Sequence, residues 1–291
     1  MAVQNSLTQS NQRLGLTAYL TKDAVKDQIS KVVGGKDGQR FISAIISAVN
    51  TNSTLQECTN QSIVSGALLG ESLKLSPSPQ LGHYYLVPFN DKEKGKVAQF
   101  QLGYKGYIQL AIRSGQYKKL NVMAIKEGEL EYFDPLNEDI KVSLMVDQWD
   151  EREAKPTIGY YAFFELVNGF RKAIYWSKAQ MENHALKYSQ GYKRDKERGW
   201  NYTFWSKDFD GMAYKTMLRQ LISRWGIMSI EMQTAFDGDM AVINDDGTKK
   251  YVETDDNVII QDVDPVPVEG DVILEATVTD ESSAEAVLFG N

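Results

Sequence analysis

The charge of this chain is divided along its length, and that division limits what can fold. Residues 236–291 carry 15 acidic residues against two basic ones, Lys249 and Lys250, a net −13. The other 235 residues hold 24 acidic and 30 basic residues, a net +6, and the two parts give the −7 of the whole. The acidic stretch has few aromatics, and Pro265 and Pro267 interrupt any regular pattern. Such a segment buries too little apolar surface to offset the entropy of ordering it. The sequence thus predicts a mildly basic body over 21–235, between a flexible N-terminus at 1–20 and a mostly disordered acidic tail at 236–291 made for protein interaction. The tail ends Ala286-Val287-Leu288-Phe289, apolar after an acidic approach, which has the look of a docking peptide. A frayed end without function, or a tail that folds back over a basic surface in competition with a polyanion, are the alternatives.

Composition removes several function classes. Hydrophobic residues make up 42% and aromatics 11%, enough for a substantial core. No run approaches the ~20 apolar residues of a membrane helix, and mean hydropathy is −0.38. The polar start Met1–Leu14 lacks the layout of a secretory signal, so a cytoplasmic chain is expected. Cys58 alone excludes an internal disulfide and a multi-cysteine zinc site, and His83 and His184 leave little for imidazole metal chemistry. No phosphate loop of the G-x-x-x-x-G-K-[ST] kind, nucleophile elbow or H-E-x-x-H occurs. An ATP-driven machine is not expected.

Within the body the pattern predicts an α+β fold: a small, mainly antiparallel sheet with flanking helices, in one compact two-lobed unit. Residues 21–76 read as helical, through a helix from Thr21 to Val33, the spacing of Phe41, Ile42, Ile45, Ile46 and Val49, and a helix opened by a capping box Thr54-x-x-Glu57. Residues 81–176 read as sheet-rich. Tyr84–Phe89 pairs with Val97–Leu102 around a basic tip, Lys92, Lys94 and Lys96. A helical stripe, Tyr107 to Ile112, stops at Gly115, and strands near Leu120–Ile125 and Glu129–Phe133 turn at Glu127-Gly128. Asn168-Gly169 between Ile158–Leu166 and Arg171–Trp176 predicts a type I′ hairpin. Residues 177–235 read as helical again, with a capping box at Ser177-x-x-Gln180 and a helix over Ser206–Trp225.

The chemistry concentrates between Lys187 and Arg224. Lys187, Lys193, Arg194, Lys196, Arg198 and Lys207 alternate with Tyr188, Tyr192, Trp200, Tyr202, Phe204 and Trp205. Single-stranded nucleic acid asks for this pairing, because cations follow phosphates while flat rings stack on bases of any sequence. On the helix at Ser206–Trp225, Lys215 and Arg219 lie within about 40° of each other and face away from Ala213, Tyr214, Met217, Leu218, Leu221 and Trp225. That arrangement predicts a helix anchored on one side and presenting cations on the other. The bland alternative makes Trp205 and Trp225 core residues, and Lys215 and Arg219 members of surface pairs with Asp208 or Glu231. Asp208 and Asp210, with Asp195 and Glu197, could in principle hold Mg²⁺ for phosphoryl chemistry. Asp208 reads better as a first-turn helix residue, and Asp195 and Glu197 as part of a solvated charged loop.

Two blocks of this chain resemble the RecT family. One is Gln99-Phe100-Gln101-Leu102-Gly103-Tyr104-Lys105-Gly106-Tyr107 with Ala111-Ile112-Arg113-Ser114-Gly115. The other is Trp205-Ser206-Lys207-Asp208-Phe209 with Met212-Ala213-Tyr214-Lys215-Thr216-Met217-Leu218-Arg219-Gln220-Leu221. Leu55–Cys58 and Leu81–Phe89 also fit, over roughly 21–235. The resemblance implies a phage or prophage recombinase that anneals complementary single strands without ATP and has no covalent catalytic site. It implies rings or helical filaments on DNA, an annealed duplex product, a requirement for Mg²⁺ in many members, and a partner exonuclease. Tyr104, Lys105, Arg113, Lys207, Lys215 and Arg219 become candidate DNA contacts by the motifs. Lys193, Arg194, Arg198 and Trp200 rest on the charge pattern, and a docking role for the tail points to the host single-strand-binding protein or the exonuclease. A passive single-strand-binding protein and, less favoured, a Mg²⁺-dependent nuclease using Asp208 and Asp210 are the alternatives.

Overall fold

The computed structural model describes residues 15–34, 37–91, 94–244 and 246–251. The expectations for the extreme N-terminus, the hairpin-tip Lys92 and the docking peptide lie outside the described residues. Helices α1 (Leu16–Leu20), α2 (Asp23–Val33), α3 (Gly38–Asn50) and α4 (Asn60–Ser72) come first. Gly34, at φ 80, ends α2, in the left-handed region that suits glycine. The box at Thr54 is corrected: Leu55–Glu57 is a single 3₁₀ turn, and α4 begins later, capped by Thr59, which accepts from the Ser62 amide.

Strands β1 (Tyr84–Asp91) and β2 (Gly95–Leu102) form the expected hairpin, with Tyr84 opposite Leu102, and α5 (Tyr104–Ser114) follows to a left-handed Gly115. Then come β3 (Tyr117–Lys126), β4 (Leu130–Asp134), β5 (Asp139–Val142), α6 (Trp149–Ala154), β6 (Thr157–Leu166) and β7 (Arg171–Ser177). β3 does not pair with β4. It pairs with β6, giving the order β3-β6-β7, while β4 and β5 form a separate two-stranded ribbon. At the β6–β7 turn only Gly169 takes positive φ, at 88°, whereas type I′ needs it at both central residues. The turn is therefore wider, closed by the Leu166 amide donating to the Phe170 carbonyl and by Asn168 Oδ1 accepting from the Phe170 amide.

The capping box at Ser177 and Gln180 is complete and opens α7 (Lys178–Tyr188). Next are α8 (Gln190–Arg198), α9 (Phe204–Lys207), α10 (Phe209–Trp225) and α11 (Ile230–Gly238), then β8 (Ala241–Ile243) and β9 (Lys249–Tyr251). The helix expected over 206–225 is thus broken at Asp208, which caps α10 by accepting from the Gly211 amide. β8 and β9 extend the first hairpin to a four-stranded sheet, β1-β2-β8-β9. The fold is α+β, and its described strand pairs are all antiparallel.

The tail boundary at 236 is corrected by this sheet. Phe236, Asp239, Ala241, Val242 and Ile243 are buried, so the first 16 residues of the acidic stretch belong to the folded body. Two cores meet at α10. Leu218 and Ile222 join α2–α5, α11 and β8 in one, and Ala213, Met217 and Leu221 join β6, α7 and α8 in the other. A helix with two buried flanks has only a narrow free arc, and that decides where its charged residues go.

Candidate nucleic-acid interface

Lys215 and Arg219 share one carboxylate. Asp239, fully buried, accepts at Oδ1 from Lys215 Nζ (3.0 Å) and the Leu102 amide (2.9 Å). Its Oδ2 accepts from Arg219 NH1 (2.7 Å) and the Tyr107 hydroxyl (2.9 Å). The expectation that α10 presents both cations to solvent is corrected: Lys215 is buried, and Arg219 keeps only part of its side chain in water. The surface partners Asp208 and Glu231 are likewise replaced by Asp239. The physical reason is the helix's double burial, which turns the Lys215 arc toward α5 and the chain entering β8. Burial, with Asp239 beside it, holds the Tyr107 hydroxyl well above its ordinary pKa, so it remains a donor. Burial also works against the Arg219 charge, but Tyr107 and Asp239 outweigh it and raise the guanidinium's pKa. Trp205 is core, as expected, whereas Trp225 is about half exposed beneath Lys172, whose Nζ lies 3.7 Å from its ring.

The two sequence blocks do meet, through aromatic rings. Tyr104 packs edge-on against Tyr214 (5.7 Å between centroids) and Tyr85 against Phe204 (5.7 Å). Burial first, then the Asp208 carboxylate, raise the hydroxyl pKa of both Tyr85 and Tyr104. Lys105 is exposed one residue into α5, beside Gly82. Gly106 is needed for closeness: a Cβ there would lie 2.1 Å from the His83 carbonyl oxygen. Arg113 sits at the other end of α5, donating to the Leu73 (2.6 Å) and Lys74 carbonyls at the end of α4. This tie serves the helix end (the last carbonyls lack partners).

The segment around 190–206 is better ordered than a solvated loop. Asp195 lies buried in α8, and its Oδ2 accepts from the Tyr202 and Thr203 amides, the Thr203 hydroxyl and Ser206 Oγ (2.6 Å). Burial alone would raise its pKa, but the donors from Ser206, Thr203 and Tyr202 win, and the carboxyl titrates below its ordinary value. This folds Trp200 and Tyr202, both exposed, against each other, with Arg198 over the Trp200 ring at 4.6 Å. Lys193 and Arg198 are exposed, while Arg194 and Lys207 are half-buried. Asp195 therefore links α8, with Arg198 and Trp200, to the loop that carries Phe204 to Tyr85.

A lowered carboxyl pKa stabilises the fold above the unfolded value of about 3.9, and that stability is lost as pH falls through the folded value. Asp195→Asn is accordingly expected to be less stable than the parent at pH 7, with the gap narrowing below about pH 4. Urea unfolding at several pH values measures it, and a pH-independent gap would remove the assignment.

Asp208 and Asp210 have structural partners, Asp208 as the cap of α10, while Glu197 is exposed. Asp210 accepts from the Tyr160 hydroxyl at 2.5 Å, and that hydroxyl's pKa is raised by burial first and then by Asp210. Among the described residues no group of three His, Cys, Asp or Glu side chains is placed to hold a metal ion, and no helix is long and apolar enough to cross a membrane.

The model of the RecT family matches residues 39–257, about three-quarters of the chain and past β9. The chain belongs to the RecT family, a family of single-strand annealing proteins of recombination. It is 39% identical over 250 residues to "Uncharacterized protein YqaK" of Bacillus subtilis (strain 168), covering 86% of this chain and 78% of that protein. It is 28% identical over 222 residues to "Protein RecT" of Escherichia coli (strain K12), covering 75% and 77%.

Proposed function

We propose that this chain binds single-stranded DNA through its phosphates and anneals complementary strands without ATP, as an oligomer, during phage recombination in the bacterial cytoplasm. Family membership supports the annealing role, and the observation that supports the interface is Arg198 over the exposed Trp200 ring, with Lys105 exposed at the start of α5. Phosphate contacts leave the base edges free to pair, so binding is blind to sequence. Lys193, Arg194 and Lys207 add charge along the same segments, and Tyr104 and Arg113 serve chiefly to set α5. Lys215 and Arg219 act through Asp239 on the fold, and Arg219, being partly exposed, is the one of the two left to meet a strand. Mg²⁺ assists by screening the two backbones. Residues 252–291 recruit the partner exonuclease or the host single-strand-binding protein.

The test pairs two complementary oligonucleotides without nucleotide across a range of salt and Mg²⁺. Acceleration is expected, whereas passive coating would slow pairing and a nuclease would shorten labelled strands. Lys105→Ala and Arg198→Ala are each expected to weaken binding equally for unrelated sequences and to reduce the salt slope by about 0.7, the single-strand value for one lost phosphate contact. An unchanged slope in both variants would take these residues out of the interface.

A further inference from the structure

Seventeen large apolar side chains are exposed among the described residues, and eleven of them lie in two patches. The first is an arm, residues 127–151, built from the β4–β5 ribbon and the loop into α6. It exposes Tyr132, Leu136 (88%), Leu144, Val146 and Trp149. The same 25 residues hold nine acidic residues and one basic residue, Lys141, a net −8. Without them the first 235 residues stand at +14 (+6 minus −8). An arm of this charge repels nucleic acid.

The second patch lies where three elements meet at Tyr117. Its hydroxyl donates to the Ile227 carbonyl (3.0 Å), and the neighbouring Gln116 carbonyl accepts from Val167. Around it Val167, Phe170, Trp225, Ile227 and Ile230 (79%) are exposed, with Ile112 on α5 completing the set. The charge here has the opposite sign. Lys118, Lys119 and Arg171 surround the Glu165 carboxylate, and Arg113 and Arg224, near Ile112 and Trp225 in sequence, outnumber Glu231, which follows Ile230, so the patch stays net positive.

Exposed apolar groupings of this kind mark protein contacts. We propose that the acidic arm of one copy docks on the basic apolar patch of a second copy, so that this pair of surfaces joins subunits. Charge complementarity selects the occupant: arm against arm and patch against patch both repel, and arm against patch satisfies both at once. The arm is held ready for it. Glu129 and Arg152 pin its root, Phe133 packs on Tyr175 (5.0 Å between centroids), and Glu138 pairs with Lys172. A junction between two different surfaces can repeat, which is the geometry of rings and filaments. The inference deepens the oligomer part of the proposed function and rests on that reading, but association is measured without DNA and can fail while annealing stands.

The experiment uses sedimentation velocity of the full chain over a concentration series, with circular dichroism to check folding. The parent is expected to associate. Leu136→Glu and Ile230→Glu are each expected to sediment as single copies, whereas Ile230→Lys, which suits an acidic partner, is expected to associate like the parent. Mixing the Leu136→Glu and Ile230→Glu variants leaves one intact arm facing one intact patch, so paired copies are expected to return. A parent that stays a single copy, association untouched by either glutamate, loss in only one variant, or a mixture that stays unpaired would each overturn the proposal.

Discussion

Asp239→Ala is expected to cost about 3–5 kcal/mol of folding stability, the range for removing one partner of a buried ion pair. In a chain of this size that lowers the melting midpoint by about 10 °C. Four donors lose their acceptor at once: Lys215 Nζ, Arg219 NH1, the Tyr107 hydroxyl and the Leu102 amide. Arg219 can turn partly to water, but Lys215 cannot, and a buried ammonium without a counter-charge is the larger penalty. Lys215→Met in the Asp239→Ala background is therefore expected to recover part of the loss, because it removes that charge and keeps the volume. Thermal unfolding of the parent, the single and the double variant measures this, and a single variant within about 1 kcal/mol of the parent would refute it. The same carboxylate dictates where the chain can be cut. A chain ending at Ala235 loses Phe236, Asp239 and β8, and is expected not to fold cooperatively. One ending at Tyr251 keeps all three, so it is the proper form for asking what residues 252–291 do.

What the sequence showed and hid follows from the range of the interactions. The β1–β2 hairpin, α5 with its Gly115 stop, the β6–β7 pair and the Ser177 box were all legible, because each is decided by residues within about twenty positions of one another. β3 was legible as a strand, but its partner was not, since β6 lies more than thirty residues on and β4 stood closer. Asp239 was unreadable for the same reason. Among fifteen acidic residues it looks like its neighbours, and only its reach to Tyr107 on α5 and Lys215 on α10 sets it apart. A local signal did exist in the run Ala241-Val242-Ile243 after Phe236, apolar and β-branched inside an acidic stretch. Asp195 misled in the opposite sense. Flanking lysines and arginines made it look solvated, while its burial depends on donors from residues 202–206. The candidate site was legible in residue types, and the division into exposed Lys105 and Arg198 and buried Lys215 was not.

The other large effect is expected at the root of the acidic arm. Glu129 and Arg152 form a two-pronged pair, Nε to Oε1 at 2.6 Å and NH2 to Oε2 at 3.1 Å, with both side chains covered. Glu129 also accepts from the Lys126 amide (2.7 Å) and the Met145 amide, and Arg152 donates to the Ala124 carbonyl (2.8 Å). Burial opposes the charge on each. The Arg152 fork and the two amides nevertheless hold the Glu129 carboxyl below its ordinary pKa, and Glu129 holds Arg152 above its own. Glu129→Ala strands two amides and leaves the guanidinium only Glu153 (3.0 Å) and the Ala124 carbonyl, and is expected to cost about 3 kcal/mol, the low end for a broken buried pair. The pair sits close to the surface under Trp149, whose ring lies 4.9 Å from the guanidinium, so water reaches it once the arm loosens. Glu129→Leu with Arg152→Met removes both charges and is expected to fall much nearer the parent, as hydrophobic replacement of a buried pair does. Chemical denaturation of the three chains decides it: a double variant as unstable as Glu129→Ala would mean that packing, and not the stranded charge, sets the cost. Because this pair fixes the start of the arm to β3, proteolysis within 130–148 is expected to quicken in Glu129→Ala even under conditions where the rest of the chain stays folded.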